Sequence, residues 1–348
     1  MGNEKVIPYT KHCISKEEEE AVLGVLRSGY LTGGPKVEEF EDKFRDYIGC
    51  KYAVAVSSCS AALYLALLAQ LKCYDEYRYA ISTSPLTYVA TVNAIVLNGM
   101  VPVLVDIDAD TWLSKGAMLP VHYAGITDHF PNAIIQDAAH SCGAEIDGRK
   151  VGATGTCCFS FHPAKNMTCG EGGMVTTDDK EVADGIKLMR LNGIEKDGFR
   201  QRMTMFGFKF NMNEIQAAIG IVQLAKLDDM NAEREQIYKR YREELNGRVI
   251  FQRIPEGVKP SHHMVPVLVG DRDRVLEGLK DRGIISAIHY CPIHRMPFYQ
   301  QKYPYKDCSG GDYPNAEYVG DHVLVLPCHP GLTTDDQDRV IKAVKELT

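Results

Sequence analysis

Short apolar runs alternate with helix-period segments through the first two-thirds of this chain, and that rhythm constrains the fold most. Tyr52–Val56 is an unbroken apolar run of strand length. It stops at Ser57-Ser58-Cys59-Ser60 and resumes as the helical pattern Ala61–Leu71. Ala90–Leu97 has helical spacing, and Val101–Val105 reads as a strand ending at Asp106. Ala117–His122, Ala133–Gln136, Cys157–Phe161 and Gly173–Thr177 read as further strands, and Val182–Leu191 as a helix. Such alternation implies an α/β fold with a mostly parallel, helix-covered sheet.

The flanks extend this reading. Ser15 with Glu18 forms a capping-box pattern ahead of Lys16–Leu26, and Gly29 marks its end. A second helix is expected over Val37–Ile48. Gly193–Phe210 reads as loop, and Asn213–Tyr241 as one long helix. After about Gly247 the segments shorten and prolines recur, so a smaller α+β unit follows. The expected division is 12–240 for a large unit and 241–348 for a small one, with residues 1–11 packing nearby.

Composition bounds the function. A chain of 348 residues has room for about two domains. The net charge of −7 argues against a general nucleic-acid binder. The uncharged stretches Tyr52–Leu71 and Tyr79–Val105 are broken by serines, asparagines and prolines, unlike membrane spans. The 11 cysteines are odd in number, form no C-x-x-C, and follow a polar start, so reduced thiols in a cytoplasmic protein are expected.

Four features carry chemistry. Ser57-Ser58-Cys59-Ser60 puts small polar residues at a helix start, where free N–H groups receive an anion; taken alone, a simple N-cap by Ser58 or Ser60 is the commoner explanation, since caps outnumber anion sites. Asp137 ends an apolar strand, where α/β sheets bind ligands, or else caps the next turn. Lys165, between a strand and the Gly-rich CGEGG, is either a buried carbonyl nucleophile or a surface lysine. Tyr88 either packs in the core or covers a flat ring. Together, an anion cradle, an acid, a lysine and an aromatic are what pyridoxal 5′-phosphate (PLP) requires.

The stretches SGYLTGGPKVEEFEDKFRDYIGCKYAVAVSSCSAAL, TYVAT, VHYAG, QDAAHSCGAEIDGRKVGATG, SFHPAKNMTCGEGGMVTT and GFKFNMNEIQAAIGIVQLAKL resemble the DegT/StrS sugar-nucleotide aminotransferases, of aspartate-aminotransferase architecture (fold type I). The resemblance implies that Lys165 is the catalytic residue that joins the cofactor aldehyde. It implies that Asp137 holds the pyridinium nitrogen and Tyr88 stacks on the ring. Cys59, Ser60 and Ser160 match phosphate-binding positions, and Asn211 matches a residue given to the phosphate by the neighbouring subunit of a homodimer. His140 matches a position beside the ring hydroxyl. Relatives with His at the lysine position are dehydratases, so Lys165 favours transamination.

The form SFHPAKNMTCGEGG is similar to the branch acting on 4-ketosugar nucleotides. The implied reaction takes an amino group from an amino acid, L-glutamate, through pyridoxamine 5′-phosphate (PMP), to C4 of a nucleotide-linked 4-keto-6-deoxyhexose. A 3-ketosugar, another carbonyl substrate and a non-catalytic scaffold are the alternatives. His289, His294 and His329 are candidate substrate contacts; a metal site at His289, Cys291 and His294 matches no standard spacing, so no metal is expected. Three departures stand out. Ser-Cys-Ser replaces Ser-Gly-Thr in the cradle, Gln136-Asp137 replaces Glu-Asp, and Asp106–Asp137 lacks the extra helical turns that relatives carry there.

Overall fold

A computed structural model describes residues 5–71, 80–302 and 312–348. Cys73 and Cys308 therefore lie outside the described residues, as does Tyr79 at the start of the second uncharged stretch. The other nine cysteines are free thiols.

The central sheet has the order Tyr52–Val56, Gly173–Thr177, Cys157–Ser160, Gln136–Asp137. Gly173–Thr177 runs antiparallel to both neighbours, and Gln136–Asp137 runs parallel to Cys157–Ser160. Isolated bridges carry the sheet further, from Asp137 to Val121 and from Leu119 to Thr83. The parallel pair Ala80–Thr83 and Val101–Leu104 completes it.

Side-chain alternation sorts the core onto two faces. Val54, Val56, Cys158 and Val175 pack with helices Cys59–Leu71 and Lys180–Met189. Ala53, Ala55, Cys157, Phe159 and Met174 pack with helices Pro35–Ile48 and Glu214–Ala225. There Phe44 meets Phe159 and Phe161 edge-on at 5.3 and 5.6 Å. Helix Cys59–Leu71 has apolar residues on every side, as a helix sunk between layers requires.

A second, antiparallel sheet has the order Ile250–Phe251, Val265–Leu268, Val323–Leu326. Helices Arg272–Asp281 and Thr334–Leu347 cover it, and Ile237 and Tyr241 of helix Leu227–Glu244 enter its core. Ile7 joins that core and bridges Ile284.

Several sequence expectations fail. Ala117–His122 forms only isolated bridges at Leu119 and Val121, and the strand expected over Ala133–Gln136 is confined to Gln136–Asp137. Gly193–Phe210 contains a hairpin, Ile194–Asp197 paired with Arg200–Met203. The expected single helix Asn213–Tyr241 is two, Glu214–Ala225 and Leu227–Glu244. They part at Lys226, whose ψ of −2 and hydrogen bonds to Gln223 and Leu224 mark a tightened last turn. Ser15 meets expectation: its N–H donates to Glu18 Oε2 at 2.8 Å, ahead of helix Lys16–Ser28.

Both crossovers on either side of Leu119–Val121 lack an α-helix; the second holds only the short turn Tyr123–Gly125. Parallel strands are usually joined through a helix, so this edge of the sheet is thinner than the rest. No helix among the described residues is long and apolar enough to cross a membrane.

Candidate active site

The parallel strands deliver their carboxyl ends to one place. Asp137 ends its strand there, and Ser160 ends the next. After Ser160 the chain turns, with the Lys165 N–H donating to the His162 carbonyl at 2.8 Å. A cavity of about 420 Å³ opens beside these ends. Cys59, Ser60, Tyr88, Asp137, His140, Ser160, Lys165 and His289 all line it.

Asp137 is 5% exposed. Its Oδ2 accepts from Thr91 Oγ1 at 2.7 Å and its Oδ1 from the Ala139 N–H at 3.1 Å. Both donors are neutral, so a buried carboxylate is left with no cationic hydrogen-bond partner of its own. Burial pushes its pKa up, against the two hydrogen bonds and the pull of Lys165. Lys165 shows the mirror image. Burial pulls its amine below the ordinary lysine value, while Asp137 and Cys59 oppose the shift. The two charges thus act on one another across the cavity.

The cradle is built by a close approach of backbones. A Cβ on Gly173 would lie 2.6–2.7 Å from the Ser58 carbonyl and the Cys59 nitrogen. Only glycine lets the strand seat the helix start so tightly. Ser58 is the cap: its Oγ accepts from the Ala61 N–H at 3.1 Å and its carbonyl from the Ala62 N–H. The N–H groups of Cys59 and Ser60 precede these and have no intrahelical acceptor. Capping and anion binding are compatible here, because they use different N–H groups.

His140 is 4% exposed; its Nε2 faces the Tyr290 hydroxyl at 3.1 Å, and its Nδ1 has no protein partner. Its ring stacks on His263 at 4.3 Å. Burial, with Lys165 and His263 nearby, holds His140 well below the usual imidazole range. His289 is held at about 4 by burial and Lys165. His140 and His289 are therefore neutral at pH 7. Tyr88 stands at its mouth, 59% exposed, with its ring 6.0 Å from that of Tyr290.

Three sequence candidates lie elsewhere. His294 does not line the cavity; its Nε2 pairs with Glu317 Oε1 at 2.8 Å, tying the turn Ile293–Arg295 to helix Pro314–His322. His329 is buried against its own loop, with Nδ1 3.0 Å from the Pro330 carbonyl. Asn211 is also outside, its Nδ2 donating to Thr32 Oγ1 at 3.3 Å and to the Met212 carbonyl at 3.2 Å. No group of three or more His, Cys, Asp or Glu among the described residues is placed to hold a metal. Sequence reasoning missed Thr91, Tyr290 and His263. Thr91 alone left a trace, one turn beyond Tyr88 in TYVAT.

The residues fit PLP. The buried acid lacks a cation, His140 Nδ1 lacks a partner, and the helix start offers free N–H groups. Sheet, cradle, acid and lysine define an α/β enzyme of the fold type I aminotransferase class. Comparison places it further: the chain belongs to the DegT/DnrJ/EryC1/StrS aminotransferase family, whose profile matches residues 12–345. Aminotransferases of this family use PLP.

An uncharacterized protein of Methanocaldococcus jannaschii is 39% identical, over 100% of this chain and 99% of that one. Its alignment spans 388 positions against 348 residues here, a difference of 40. Helicobacter pylori PseC, an aminotransferase involved in the biosynthesis of pseudoaminic acid, superposes at TM-score 0.91 with 29% identity, covering 99% of both chains. Streptococcus pneumoniae Spr1654, a sugar aminotransferase by name, superposes in its PMP form at TM-score 0.90 with 27% identity. Its PLP form gives 0.89 and 26%, and each covers 99% of this chain and 98% of that one.

Proposed function

We propose that the chain is a PLP-dependent transaminase moving an amino group from L-glutamate to C4 of a nucleotide-linked 4-keto-6-deoxyhexose. The observation that carries this reading is the one cavity shared by Lys165, Asp137 and the helix start at Ser58–Ser60. Sugar chemistry is supported by the names of PseC and Spr1654. The C4 preference rests on the form SFHPAKNMTCGEGG.

When bound, PLP supplies an aldehyde for amines and a ring that accepts electrons. Lys165 Nζ would hold that aldehyde, and its lowered pKa keeps more of the amine in the nucleophilic form. Nζ would also be the base that accepts a proton from the donor carbon and gives it back. Asp137, fixed by Thr91 and Ala139, keeps the ring nitrogen protonated. The Cys59 and Ser60 N–H groups and the Ser160 hydroxyl hold the phosphate. His140 Nδ1 serves the ring hydroxyl, Tyr88 covers the ring face, and His289 meets the sugar or nucleotide.

A homodimer with shared sites accords with the surface. Asn211 lies outside its own cavity and donates to Thr32, which follows the exposed Tyr30 and Leu31 in the chain. An apolar groove is lined by Ile14, Val22 and Leu23, by Ile219, and by Pro163 of the lysine turn. An active monomer on sizing contradicts this. We also take 12–240 as the cofactor unit and 241–348 as the small one.

The test supplies PLP and L-glutamate and follows 2-oxoglutarate release, then offers 4-keto and 3-keto nucleotide sugars. Release that Lys165→Ala abolishes, followed by amination of the 4-ketosugar, supports the reading. Amination of the 3-ketosugar alone moves the reaction to C3; no release with any amino acid contradicts it.

A further inference from the structure

Lys165 stands on a turn whose rear is a buried polar hub. The next residue, Asn166, is 1% exposed. Its Nδ2 donates to Asn231 Oδ1 at 2.8 Å and to the Ser261 carbonyl at 2.9 Å. Its own carbonyl accepts from Arg234 Nη2 at 3.1 Å, and Arg234 Nη1 donates to Asn231 Oδ1 at 3.3 Å. Asn231 and Arg234 are three residues apart on helix Leu227–Glu244, so one face presents both.

The hub reaches both sides of the cavity. Asn231 Nδ2 donates to the Cys142 carbonyl at 3.0 Å. Ser261 Oγ donates to the His140 carbonyl at 2.6 Å, and its N–H to the Gly125 carbonyl at 3.1 Å. The lysine turn, the His140–Cys142 segment and the loop bearing Ser261 are far apart in sequence, and they meet here.

Arg234 is the unusual member. It is 5% exposed, and both of its side-chain hydrogen bonds run to neutral oxygens. A guanidinium stays charged at any physiological pH. Burying one without an acid is unfavourable, and an apolar side chain of similar length usually serves stability as well or better. The return for this charge is a grip on the Asn166 carbonyl, one peptide from Lys165. Methionine cannot provide it.

We propose that Arg234, with Asn231, is a positioning residue for Lys165. From behind the turn the pair fixes the backbone from which the lysine side chain enters the cavity. Neither residue lines the cavity, so both act through Asn166. The inference rests on the reading of Lys165 as the cofactor-bearing amine.

The experiment mixes apoprotein with PLP and reduces timed samples with borohydride. The Lys165 adduct is then counted by peptide mass spectrometry. Arg234→Met should slow its formation about tenfold or more, since small misplacements of a reacting group cost rate steeply. Arg234→Lys should recover most of the rate. In turnover, kcat should fall while both KM values stay within about twofold. A wild-type rate of attachment in Arg234→Met overturns the inference. So does slowing that vanishes at lower temperature, where the variant is fully folded, because that marks a stabilising role only. If Arg234→Met does not fold, the half-buried Asn231→Ala decides: a severalfold slower rate supports the inference and an unchanged one overturns it. If wild type itself gains no adduct at Lys165, the cofactor reading fails, a result distinct from the rest.

Discussion

Thr91 Oγ1 donates to Asp137 Oδ2 at 2.7 Å, in a place neither residue shares with solvent. A helix that begins beside Tyr88 thus holds the acid at the end of a strand. Thr91→Val should remove one of two hydrogen bonds to a buried carboxylate, costing roughly 1.5–3 kcal/mol of stability in the apoprotein. PLP should bind more weakly as well. Urea unfolding and a PLP titration check both, and Thr91→Ser should restore most of each.

Asp137 itself gives a signed pH effect. Its folded pKa is raised by burial, so the native state binds the proton more tightly than the unfolded chain. Stability from this group is full below the unfolded pKa and is lost as pH rises through the folded one. Apo Asp137→Asn should therefore be more stable than wild type at pH 7 and lose the advantage in acid. Its turnover should drop by about 10² or more, as for loss of other preorganised charges. Thermal unfolding across pH, with a kcat assay at pH 7, reads both.

His122 acts at the other end of the scale. It is buried against Gln136, and burial holds its pKa at about 4. Its folded value lies below the unfolded one, so its contribution is present above pH 6.5 and disappears as pH falls through about 4. The loss amounts to roughly 3 kcal/mol. His122→Gln should flatten the acid limb of the stability curve over that interval.

Two glycines should respond oppositely to alanine. Gly173→Ala drives a Cβ into the Ser58 carbonyl and Cys59 nitrogen, which should cost about 1–3 kcal/mol and loosen PLP. Gly185, inside helix Lys180–Met189, meets only Ala69 and Met189 at 3.9 Å. Its alanine variant should gain about 0.5–1 kcal/mol. Melting curves of the two variants beside wild type check this.

What the sequence disclosed follows from how locally each feature is encoded. Tyr52–Val56 and Gly173–Thr177 were legible because they are short apolar runs between breakers, and the structure places strands at the same residues. The hairpin Ile194–Met203 was not, because IEKDGFRQRM is charged and its strand Arg200–Met203 is exposed throughout, with no alternation to read. The break at Lys226 hides because apolar spacing continues through it. Lys165 and Asp137, which line one cavity, could be singled out in the sequence because each sits in a local strand-to-turn context. Tyr290, His263 and Arg234 were not, since only the packing of the second sheet's loops and helix Leu227–Glu244 brings them near. His294 misled for the same reason: its partner Glu317 is 23 residues away.

The most direct test of the account is the site of attachment. Wild-type protein with PLP, reduced by borohydride and digested, should carry the pyridoxyl mass on the peptide containing Lys165, and L-glutamate added beforehand should diminish it. Attachment at another lysine, or none at all, contradicts the account at its root.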